Sequence, residues 1–563
     1  MASTPVRKTS PEDSDSTDSI TLDTVPQDRQ DVARKAEPEI IKVREHTDAV
    51  TDEKVEFLDT FSPEEEKSIM RKVDWRILPL IGLMQFVKQI DVANAASVKV
   101  MQVGQPRNIL KELHMTSDQY NWVSSIYYIA YIIFELPSNV FLKHMSPRVF
   151  QTRIICTWGL VLACHAAVKN KEGIYIVRFF LGRMEAGLFP GLITHICSWY
   201  RSDEMGKPIM WMFTFSQASG VIGSLLCYGI SYMNGLGGLS GWQWVFLLEG
   251  LASMLFAIAV WFLLPDYPRS KRSNSWLTER EQKFVEFRLS ENAPKTHDAA
   301  FSKEEAVLSL KDIKLWSFMT SQILINLGGY GLNWFLPTIT TNLGFAGIPR
   351  NQLLNIPPAG LTIITMIFLQ WFMMRAFVTR PLIIILSIRP FKIMTPKMLI
   401  EIVVLGQVAC FIIFLATNSK IGIYIACILG SAFYGSYFVP FWAWRSSTLK
   451  GSTGTAFTLA LQTSVAQAGG VIGPQLFQSR WAYNGYKVSF GICTAAIIVG
   501  FFANCYTWYL TRNVEWDVRR IRRERIKAEK TGRLFVEDDI KVYHEREFFS
   551  KTLRKGKDNV GTV

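Results

Sequence analysis

The sequence of 563 residues lacks the motifs that mark nucleotide-driven machines and the common hydrolases. Its one glycine-rich candidate, Lys450-Gly-Ser-Thr-Gly-Thr, does not end in the G-K-[ST] that cradles phosphates. It contains no H-E-x-x-H, G-x-S-x-G or G-x-G-x-x-G pattern and no paired catalytic acids. We therefore expect that the protein is not an enzyme, has no cofactor and no metal site, and draws any energy from an ion gradient.

Cysteine is scarce, and its placement excludes a disulfide framework. No two cysteines form a C-x-x-C pair, and all of them fall inside or at the edge of apolar runs, where a thiol behaves as a small hydrophobe. We expect all of them to be buried: Cys156, Cys164, Cys197, Cys227, Cys410, Cys427, Cys493 and Cys505. The amino terminus lacks a basic segment followed by a short apolar one, so we expect no cleavable signal peptide.

The net charge of +13 does not indicate a nucleic-acid partner, because lysine and arginine are concentrated in the tails and in particular loops. The sequence has no basic face interleaved with aromatic residues on a soluble segment. The preference of basic loops for the cytoplasmic side of a membrane explains the distribution better. We expect protons, a small molecule and the lipid bilayer as partners, and no nucleic acid.

Long apolar runs are abundant. Between residues 77 and 510 they are about 18 to 25 residues long, enough to cross a hydrocarbon core of about 30 Å. The pattern predicts an all-α membrane protein with twelve transmembrane helices in two groups of six. The predicted spans are 75–97, 119–142, 152–169, 173–198, 209–233, 243–264, 316–341, 351–374, 398–416, 421–445, 455–477 and 488–511.

These spans divide the chain into five parts. We expect a disordered cytoplasmic tail (1–74), a first six-helix bundle (75–264), a cytoplasmic central loop that joins the bundles (265–315), a second bundle (316–511) and a basic cytoplasmic tail (512–563). The second–third loop, the central loop and the last tail are rich in lysine and arginine, whereas the fifth–sixth connection has none. Both termini are therefore predicted to lie in the cytoplasm.

Short segments outside the spans also carry signals. Ser62-Pro-Glu-Glu-Glu-Lys is typical of a helix start, and Ser275-Trp-Leu-Thr-Glu-Arg-Glu-Gln predicts a short amphipathic surface helix. The run Pro381–Ile388 is too short to span, so we interpret 375–397 as a cytoplasmic loop, with a shifted helix boundary as the alternative. The basic run 519–527 is typical of a solvated helix near the inner leaflet, with a specific partner as the alternative.

The segment Arg178–Gly191 places an arginine and a glutamate within a run apolar enough to span a bilayer. Arg178, Gly182 and Glu185 are spaced i, i+4, i+7, so they share one helix face. A charge in hydrocarbon costs at least about 2.5 kcal/mol, and this face should therefore look into the bundle or a watery cavity. Arg183 lies about 140° around the helix from Arg178, and its partner is not evident from the sequence.

The first span carries four polar residues near its outer end: Gln85, Lys88, Gln89 and Asp91. Lys88 and Asp91 are i, i+3 neighbours, so a local ion pair competes with a contact to substrate. Glu135, near the inner end of the second span, suggests pairing with a basic loop. His195, ten residues after Glu185, is interpreted as a satisfied bundle residue or as a proton relay.

The seventh span has a stripe formed by Asn326, Tyr330, Asn333 and Pro337. Amides that faced lipid would be unpaired, so the stripe should line a cavity. In the tenth span, Arg445 lies near Tyr434, Tyr437, Trp442 and Trp444, which suits a flat organic anion or membrane-interface anchoring. In the eleventh, Gln462, Gln467, Gly469, Gly470 and Gly473-Pro474 predict close helix contact and a flexible segment.

Together these patterns resemble the major facilitator superfamily, and within it the fungal allantoate-permease-like anion:cation symporters, over residues 75 to 512. The resemblance is carried by Val73-Asp-Trp-Arg-Ile-Leu-Pro, Gln119-Tyr-Asn-Trp, Phe134-Glu-Leu-Pro-Ser-Asn, Arg178–Gly191, Ser198-Trp-Tyr and Leu354-Asn-Ile-Pro-Pro. It implies two pseudo-symmetric six-helix bundles, the major facilitator fold, with alternating access and a path lined by the first, fourth, seventh and tenth helices. By the same resemblance, Glu185 and Arg178 take part in proton coupling.

The sequence departs from the family pattern at several places, including Arg183, where a small apolar residue is usual, and the second-half loop motif near Arg375, which is barely recognisable. Asp91 is followed by Val92, where the group commonly has arginine, and the second–third loop motif is degraded to the segment 139–148. The resemblance implies a monomeric, proton-coupled symporter that imports a small organic anion across a fungal plasma membrane. Candidate cavity residues are Lys88, Gln89, His195, Asn326, Tyr330, Asn333 and Arg445. The alternatives are a proton antiporter that exports a metabolite and a nutrient sensor that transports nothing.

Overall fold

The computed structural model describes residues 54, 56–58, 60–142, 145–201, 204–289, 307, 309–376, 396–446, 448 and 452–530. The chain separates into two compact units, Met1–Thr60 and Phe61–Val563, and every helix described below belongs to the second unit. The predictions for residues 1–53, for 377–395 and for the end of the basic tail beyond 530 lie outside the described residues. So do the side chains of the basic run at 519–527.

Helix α1 (Pro63–Val100) begins where the sequence predicts a helix start. The Ser62 hydroxyl accepts from the Glu65 backbone N–H, and the Glu65 carboxylate accepts from the Ser62 N–H, which together form a capping box. The helix then continues through Pro79 without a break. The expected cytoplasmic helix and the first span are therefore one helix of 38 residues.

Five further spans follow in the first half of the chain. Helix α1 packs on α6, α2 on α4, and α3 on α7. The fourth predicted span is divided, because α4 ends at Glu185 and a new helix begins at Leu188. The helices are α2 (Ser117–Leu142), α3 (Pro147–Cys164), α4 (Lys171–Glu185), α5 (Leu188–Cys197), α6 (Gly206–Ile230) and α7 (Gly241–Leu263).

Helix α8 (Glu279–Phe287) confirms the predicted amphipathic helix of the central loop. It begins with a capping box at Thr278 and buries Phe284 and Val285. The Phe284 ring lies 4.5 Å from that of Phe61, and the Arg288 guanidinium is paired with both Glu66 and Glu204. The described part of the central loop is thus fastened to the first half of the chain.

The described residues from Ile313 to Lys530 form seven α-helices. Helix α9 packs on α14 and α15, α11 packs on α12, and α10 packs on α12. The eleventh predicted span is divided at Gln467. The helices are α9 (Ile313–Leu343), α10 (Ile356–Ala376), α11 (Pro396–Ala416), α12 (Lys420–Ser446), α13 (Ser452–Ala466), α14 (Ala468–Leu476) and α15 (Lys487–Lys530). Helix α15 includes the start of the predicted basic tail.

The two halves meet along α2 with α14 and along α6 with α10. Six segments of the described chain are long and apolar enough to cross a membrane: Pro147–Ala167, Gly206–Met233, Gly241–Leu263, Arg350–Leu369, Lys420–Trp442 and Lys487–Thr511. Helix α4, with 15 residues, is too short for this set, and the longer helices α1 and α9 carry polar residues that face inward.

The cysteine prediction is wrong at two positions. Cys156 and Cys164 are exposed on α3, whereas Cys227, Cys410, Cys427 and Cys493 are buried and the other two are half-buried. The exposed pair lies on a helix whose outer face carries the apolar Leu160, which is also exposed. A thiol on such a face contacts lipid at little cost, so an apolar run does not by itself predict burial.

Candidate functional site

A cavity of about 160 Å³ lies between the two halves of the chain. Its walls come from α1, α2, α4 and α6 on one side and from α9, α10, α12 and α14 on the other. The expected first, fourth, seventh and tenth spans therefore line it, and the second, fifth, eighth and eleventh spans do so as well. The charged residues among its lining are Asp91 and Arg178.

Helix α1 contributes three polar residues to the cavity, two of which belong to the polar group predicted for the first span. Gln89, Asp91 and Asn94 line it, and Asp91 and Asn94 are buried. Lys88 points to another face, where its ammonium group lies 5.3 Å from the centre of the Tyr131 ring. The structure contains no ion pair within 4 Å between Lys88 and Asp91, both of which are described, so the i, i+3 pair expected from the sequence does not form.

Helix α4 buries Arg178, Gly182 and Glu185 on one face, as their spacing predicts. A Cβ at position 182 would collide with the backbone carbonyl of Tyr127, so glycine allows α2 and α4 to approach closely. That approach brings the Tyr127 hydroxyl to Glu185, to which it donates a hydrogen bond. The second carboxylate oxygen of Glu185 has no partner among the described residues.

Arg178 lines the cavity from the same helix. Its guanidinium lies over the Phe246 ring, 5.0 Å from the ring centre, and its Nε and Nη2 have no hydrogen-bond partner among the described residues. No ion pair within 4 Å joins it to Glu185 in the described structure. Arg178 therefore has buried donors without partners beside the cavity, and its influence on Glu185 acts across a longer distance than a direct salt bridge.

The break after Glu185 depends on Gly187, whose φ of 94° lies in the left-handed region. A side chain at this position would also meet the Ser138 hydroxyl, 2.6 Å from the Cβ position. The chain can therefore restart as α5 against α2. As a result Glu185 is the last residue of its helix, beside a glycine turn.

The polar stripe of α9 faces inward, as expected, but only part of it reaches the cavity. Tyr330 and Asn333 line the cavity, whereas Asn326 is buried behind it and donates to the carbonyl of Ala466, 3.1 Å away. The Tyr330 hydroxyl donates to Gln467 Oε1 at 2.5 Å. The stripe is thus hydrogen-bonded to the two residues at the junction of α13 and α14.

Glycines explain the close packing of α9. A Cβ at Gly329 would collide with the Tyr434 ring, and a Cβ at Gly473 would lie 2.9 Å from the Gly331 backbone nitrogen. Gly469 approaches Asn326 in the same way. The close helix contact predicted for the eleventh span is confirmed.

Contacts between the halves close the cavity on the side where α1 ends and α2 begins, which we call the distal side. Asn121 of α2 is the centre of this closure. Its Oδ1 accepts from Trp334 Nε1 at 3.0 Å and from Lys99 Nζ at 3.3 Å, and its Nδ2 donates to the Phe477 carbonyl at 3.3 Å.

A second layer of contacts lies on the opposite, proximal side. The Glu135 carboxylate accepts from Thr463 at 2.6 Å and from Ser464 at 2.7 Å. The Phe189 and Trp442 rings lie 5.2 Å apart. Glu135, which we expected to pair with a basic loop, instead joins α2 to α13 across the two halves, because its position on α2 faces the second half and not the loop.

Two candidate residues lie away from the cavity. His195 Nε2 is 2.8 Å from the carbonyl oxygen of Asp266 in the central loop, its Nδ1 has no partner among the described residues, and it does not line the cavity. Arg445 is buried, donates from Nε to Gln462 Oε1 at 2.6 Å and lies over the Phe318 ring. It does not line the cavity. Arg183 is exposed and lies over the Phe134 ring, 4.8 Å from its centre.

Sequence reasoning missed Asn94, Asn121 and Glu249. Glu249 is buried on α7, where Asn94 donates to its carboxylate. An ionisable residue inside the apolar span 243–264 is itself a signal of function, and it was available from the sequence. Among the described residues, no group of three histidine, cysteine, aspartate or glutamate side chains is arranged to hold a metal.

Comparison with known proteins places this geometry in context. A family model described as the Major Facilitator Superfamily matches residues 91–474. The MFS transporter prlL of a fungal strain, NRRL 50135, is 32% identical over 311 residues, which are 55% of this chain and 62% of the relative. The MFS-type transporter cnsO of Penicillium expansum is 25% identical over 465 residues, 80% of this chain and 85% of the relative.

The name of one bacterial relative refers to a substrate. A protein of Agrobacterium vitis named for tartrate transport is 28% identical over 302 residues, which are 54% of this chain and 64% of that relative. The chain spans less than two thirds of the length of both this protein and prlL.

Proposed function

The chain belongs to the major facilitator superfamily, and on that premise we propose that it is a proton-coupled symporter that imports a small organic anion. It is a multi-pass membrane protein with the all-α fold of this family, twelve transmembrane helices in two pseudo-symmetric six-helix bundles. We assign the bundles to residues 75–264 and 316–511 and the joining cytoplasmic loop to 265–315. Alternating access would then expose the cavity to each side in turn.

The observation that carries the proposal is that Arg178, which lines the cavity, has two guanidinium nitrogens without a hydrogen-bond partner among the described residues. These are Nε and Nη2, and a carboxylate matches the planar donor fork of arginine. The opposite wall offers neutral groups, among them Tyr330, Asn333 and Trp334, which suit the rest of a small organic molecule. The relative named for tartrate transport supports a carboxylate substrate.

Proton coupling is assigned to Glu185, with Arg178 as its electrostatic partner. Glu185 is fully buried, ends its helix at a glycine turn and accepts from Tyr127. Its second oxygen lacks a donor, which suits a group that gains and loses a proton. An anion bound at Arg178 would compete with Glu185 for that positive charge and so favour the protonated carboxyl.

We assign the protein to the allantoate-permease-like group, as a monomer in a fungal plasma membrane with both termini in the cytoplasm. The basic loops on one side support this orientation. Candidate cavity residues are Gln89, Tyr330 and Asn333 at the wall and Lys88 and Asn326 behind it.

An uptake screen tests the proposal. Cells that express the protein are supplied with labelled carboxylate nutrients at acidic and neutral external pH, with and without a protonophore. We expect at least one carboxylate to accumulate faster at acidic pH, and the protonophore to abolish that accumulation. A protein carrying Tyr232→Phe, at an exposed position, serves as the expression-matched control.

Three results would contradict the proposal. Uptake that does not depend on pH or on the protonophore would show that transport is not coupled to protons. Faster efflux of a preloaded compound under an inward proton gradient would identify an exporting antiporter. Saturable binding of a carboxylate to the purified protein, without flux in reconstituted vesicles, would identify a sensor.

A further inference from the structure

Glu249 is a buried carboxyl group that the proposed mechanism does not use. It lies on α7 and is 6% exposed. Its Oε1 accepts a hydrogen bond from Asn94 Nδ2 on α1, whereas its Oε2 has no partner among the described residues. Buried carboxylate oxygens without donors are uncommon because water has been removed from them and nothing replaces it. The free oxygen therefore requires an explanation.

A second buried carboxyl group lies on the same face of α1 as Asn94. Asp91 and Asn94 are i, i+3 neighbours on α1 and both line the cavity. Asp91 is 1% exposed, and its Oδ2 also has no hydrogen-bond partner among the described residues. Two buried carboxyl groups, Glu249 bonded to Asn94 and Asp91 one helical turn before Asn94, thus each have an oxygen that lacks a donor.

The charges around this pair do not balance. The carboxylates of Asp91 and Glu249 repel each other, and the guanidinium of Arg178 attracts both. Lys88 does not supply the missing charge to Glu249, because it acts on Glu185 and Glu135 instead. With both acids ionised, the pair therefore keeps one negative charge in excess.

Several helices pack around the pair, and each contributes polar groups. Those that face it or Arg178 are Tyr120 and Tyr127 on α2, Glu185 on α4, Cys227 on α6, Trp158 on α3 and His165 just after α3. Among the described residues, Arg178 is therefore the one side chain beside Asp91 and Glu249 that is always positively charged. His165 contacts the Phe246 ring, and its Nδ1 is engaged with the backbone of α3.

We infer that Asp91 and Glu249 together hold one proton and form a second proton-binding site behind the cavity wall. The proton gives one carboxyl an O–H donor and leaves a single negative charge, which Arg178 balances. A pair of interacting acids binds and releases such a proton as a unit. Asp91 lines the cavity, so the site exchanges its proton with whatever fills that cavity.

Infrared difference spectroscopy of the purified, full-length protein in lipid vesicles tests the inference directly. The carbonyl stretch of protonated carboxyl groups is followed while the buffer is titrated between about pH 5 and pH 9, in water and in deuterium oxide. The variants are Asp91→Asn, Glu249→Gln and the double substitution. Glu401→Gln, which alters a glutamate on α11 in the other half of the chain, is the matched control.

A shared proton makes a specific prediction. Either single substitution leaves one acid beside Arg178, so that acid ionises and the same carbonyl band disappears in both variants. The double variant loses no further band, and Glu401→Gln retains it. A band that survives either substitution, or a double variant that loses two bands, would overturn the inference.

The variant Glu249→Asp tests the proposal if the Glu249→Gln protein does not fold. It retains an acid on a shorter side chain, so the band should move in frequency and remain sensitive to Asp91→Asn. A band that is unaffected by Glu249→Asp would contradict the shared site. The titration requires no transported substrate, so its failure is distinct from a failure of the proposed import function.

Discussion

The two walls of the cavity differ in their chemistry. The wall from the first half of the chain carries Asp91 and Arg178, with Lys88, Glu185 and Glu249 buried close behind it. The wall from the second half is lined by hydroxyl, amide and aromatic groups and has no charged residue among its described lining. Charge and proton chemistry are therefore concentrated on one side, while the other side offers shape and neutral hydrogen bonds.

The two walls also differ in the hydrogen bonding of their polar groups. On the charged side, several nitrogen and oxygen atoms lack hydrogen-bond partners, including those of Arg178, Asp91 and Glu249. On the neutral side, Tyr330 is bonded to Gln467, and Asn326 is bonded to the backbone of α13. The first wall thus has ionisable groups for a substrate and a proton, whereas the second has neutral groups, of which Tyr330 is bonded and Ser431 Oγ and Asn355 Nδ2 have no partner among the described residues.

Replacement of Arg178 by glutamine should have the largest effect. The substitution leaves Asp91 and Glu249 without a compensating charge, and removal of one member of a buried charge group costs about 3–5 kcal/mol. We expect uptake to fall at least about 100-fold and the unfolding temperature of the purified protein to decrease. Arg183→Gln, at an exposed position five residues further along α4, should leave both measurements close to those of the unmodified protein. Equal effects of the two substitutions would contradict the assignment of the functional charge to Arg178 at the cavity wall.

Replacement of Tyr330 by phenylalanine should have an intermediate effect on the neutral wall. It removes one hydroxyl and its bond to Gln467, which is worth about 0.5–1.5 kcal/mol. The apparent substrate affinity should therefore weaken by up to about tenfold, while the dependence of uptake on external pH should not change. A shift in that pH dependence would place proton chemistry on the second wall as well.

Loss of the surface pair between Lys72 and Glu281 should have the smallest effect. Partial burial by itself would raise the pKa of the Glu281 carboxyl, but the bonds from Lys72 and from the Thr278 N–H hold that pKa below its ordinary value. The stabilising contribution is therefore present above the ordinary pKa of about 4.3 and is lost as the pH falls through the lower, folded-state value.

Lys72→Ala should lower the free energy of unfolding by no more than about 1 kcal/mol at neutral pH, because Lys72 is half exposed and water screens the pair. The difference from the unmodified protein should vanish in acid. Thermal unfolding of the purified protein across this pH range measures it. A difference that grows in acid would show that the pair does not act through the ionised Glu281.

The sequence predicted the helices well because their signals are local. Ser62 and Thr278 cap α1 and α8 at the predicted positions, and the stripe of Asn326, Tyr330 and Asn333 faces inward as its spacing requires. The break at Gly187 was not predicted, because the residues on both sides are apolar and glycine alone does not specify a left-handed turn.

The partners of the buried groups were harder to predict. Periodicity indicates which face of a helix a residue occupies but not which helix lies opposite. For this reason Glu135 was expected near a basic loop and lies instead on Thr463 and Ser464. His195 and Arg445 were expected at the cavity and lie elsewhere for the same reason. Glu249 is a single acid in an otherwise apolar span, and the sequence does not indicate that Asn94 of α1 lies opposite it.

The central claim is that Glu185 handles the proton and not the substrate, and exchange in reconstituted vesicles tests it most directly. The substrate found by the uptake screen is used in two assays, proton-driven accumulation and counterflow exchange at equal pH on both sides. We predict that Glu185→Gln abolishes accumulation and retains exchange, because the neutral amide mimics the protonated carboxyl throughout the cycle. Accumulation by Glu185→Gln at the rate of the unmodified protein would contradict the account.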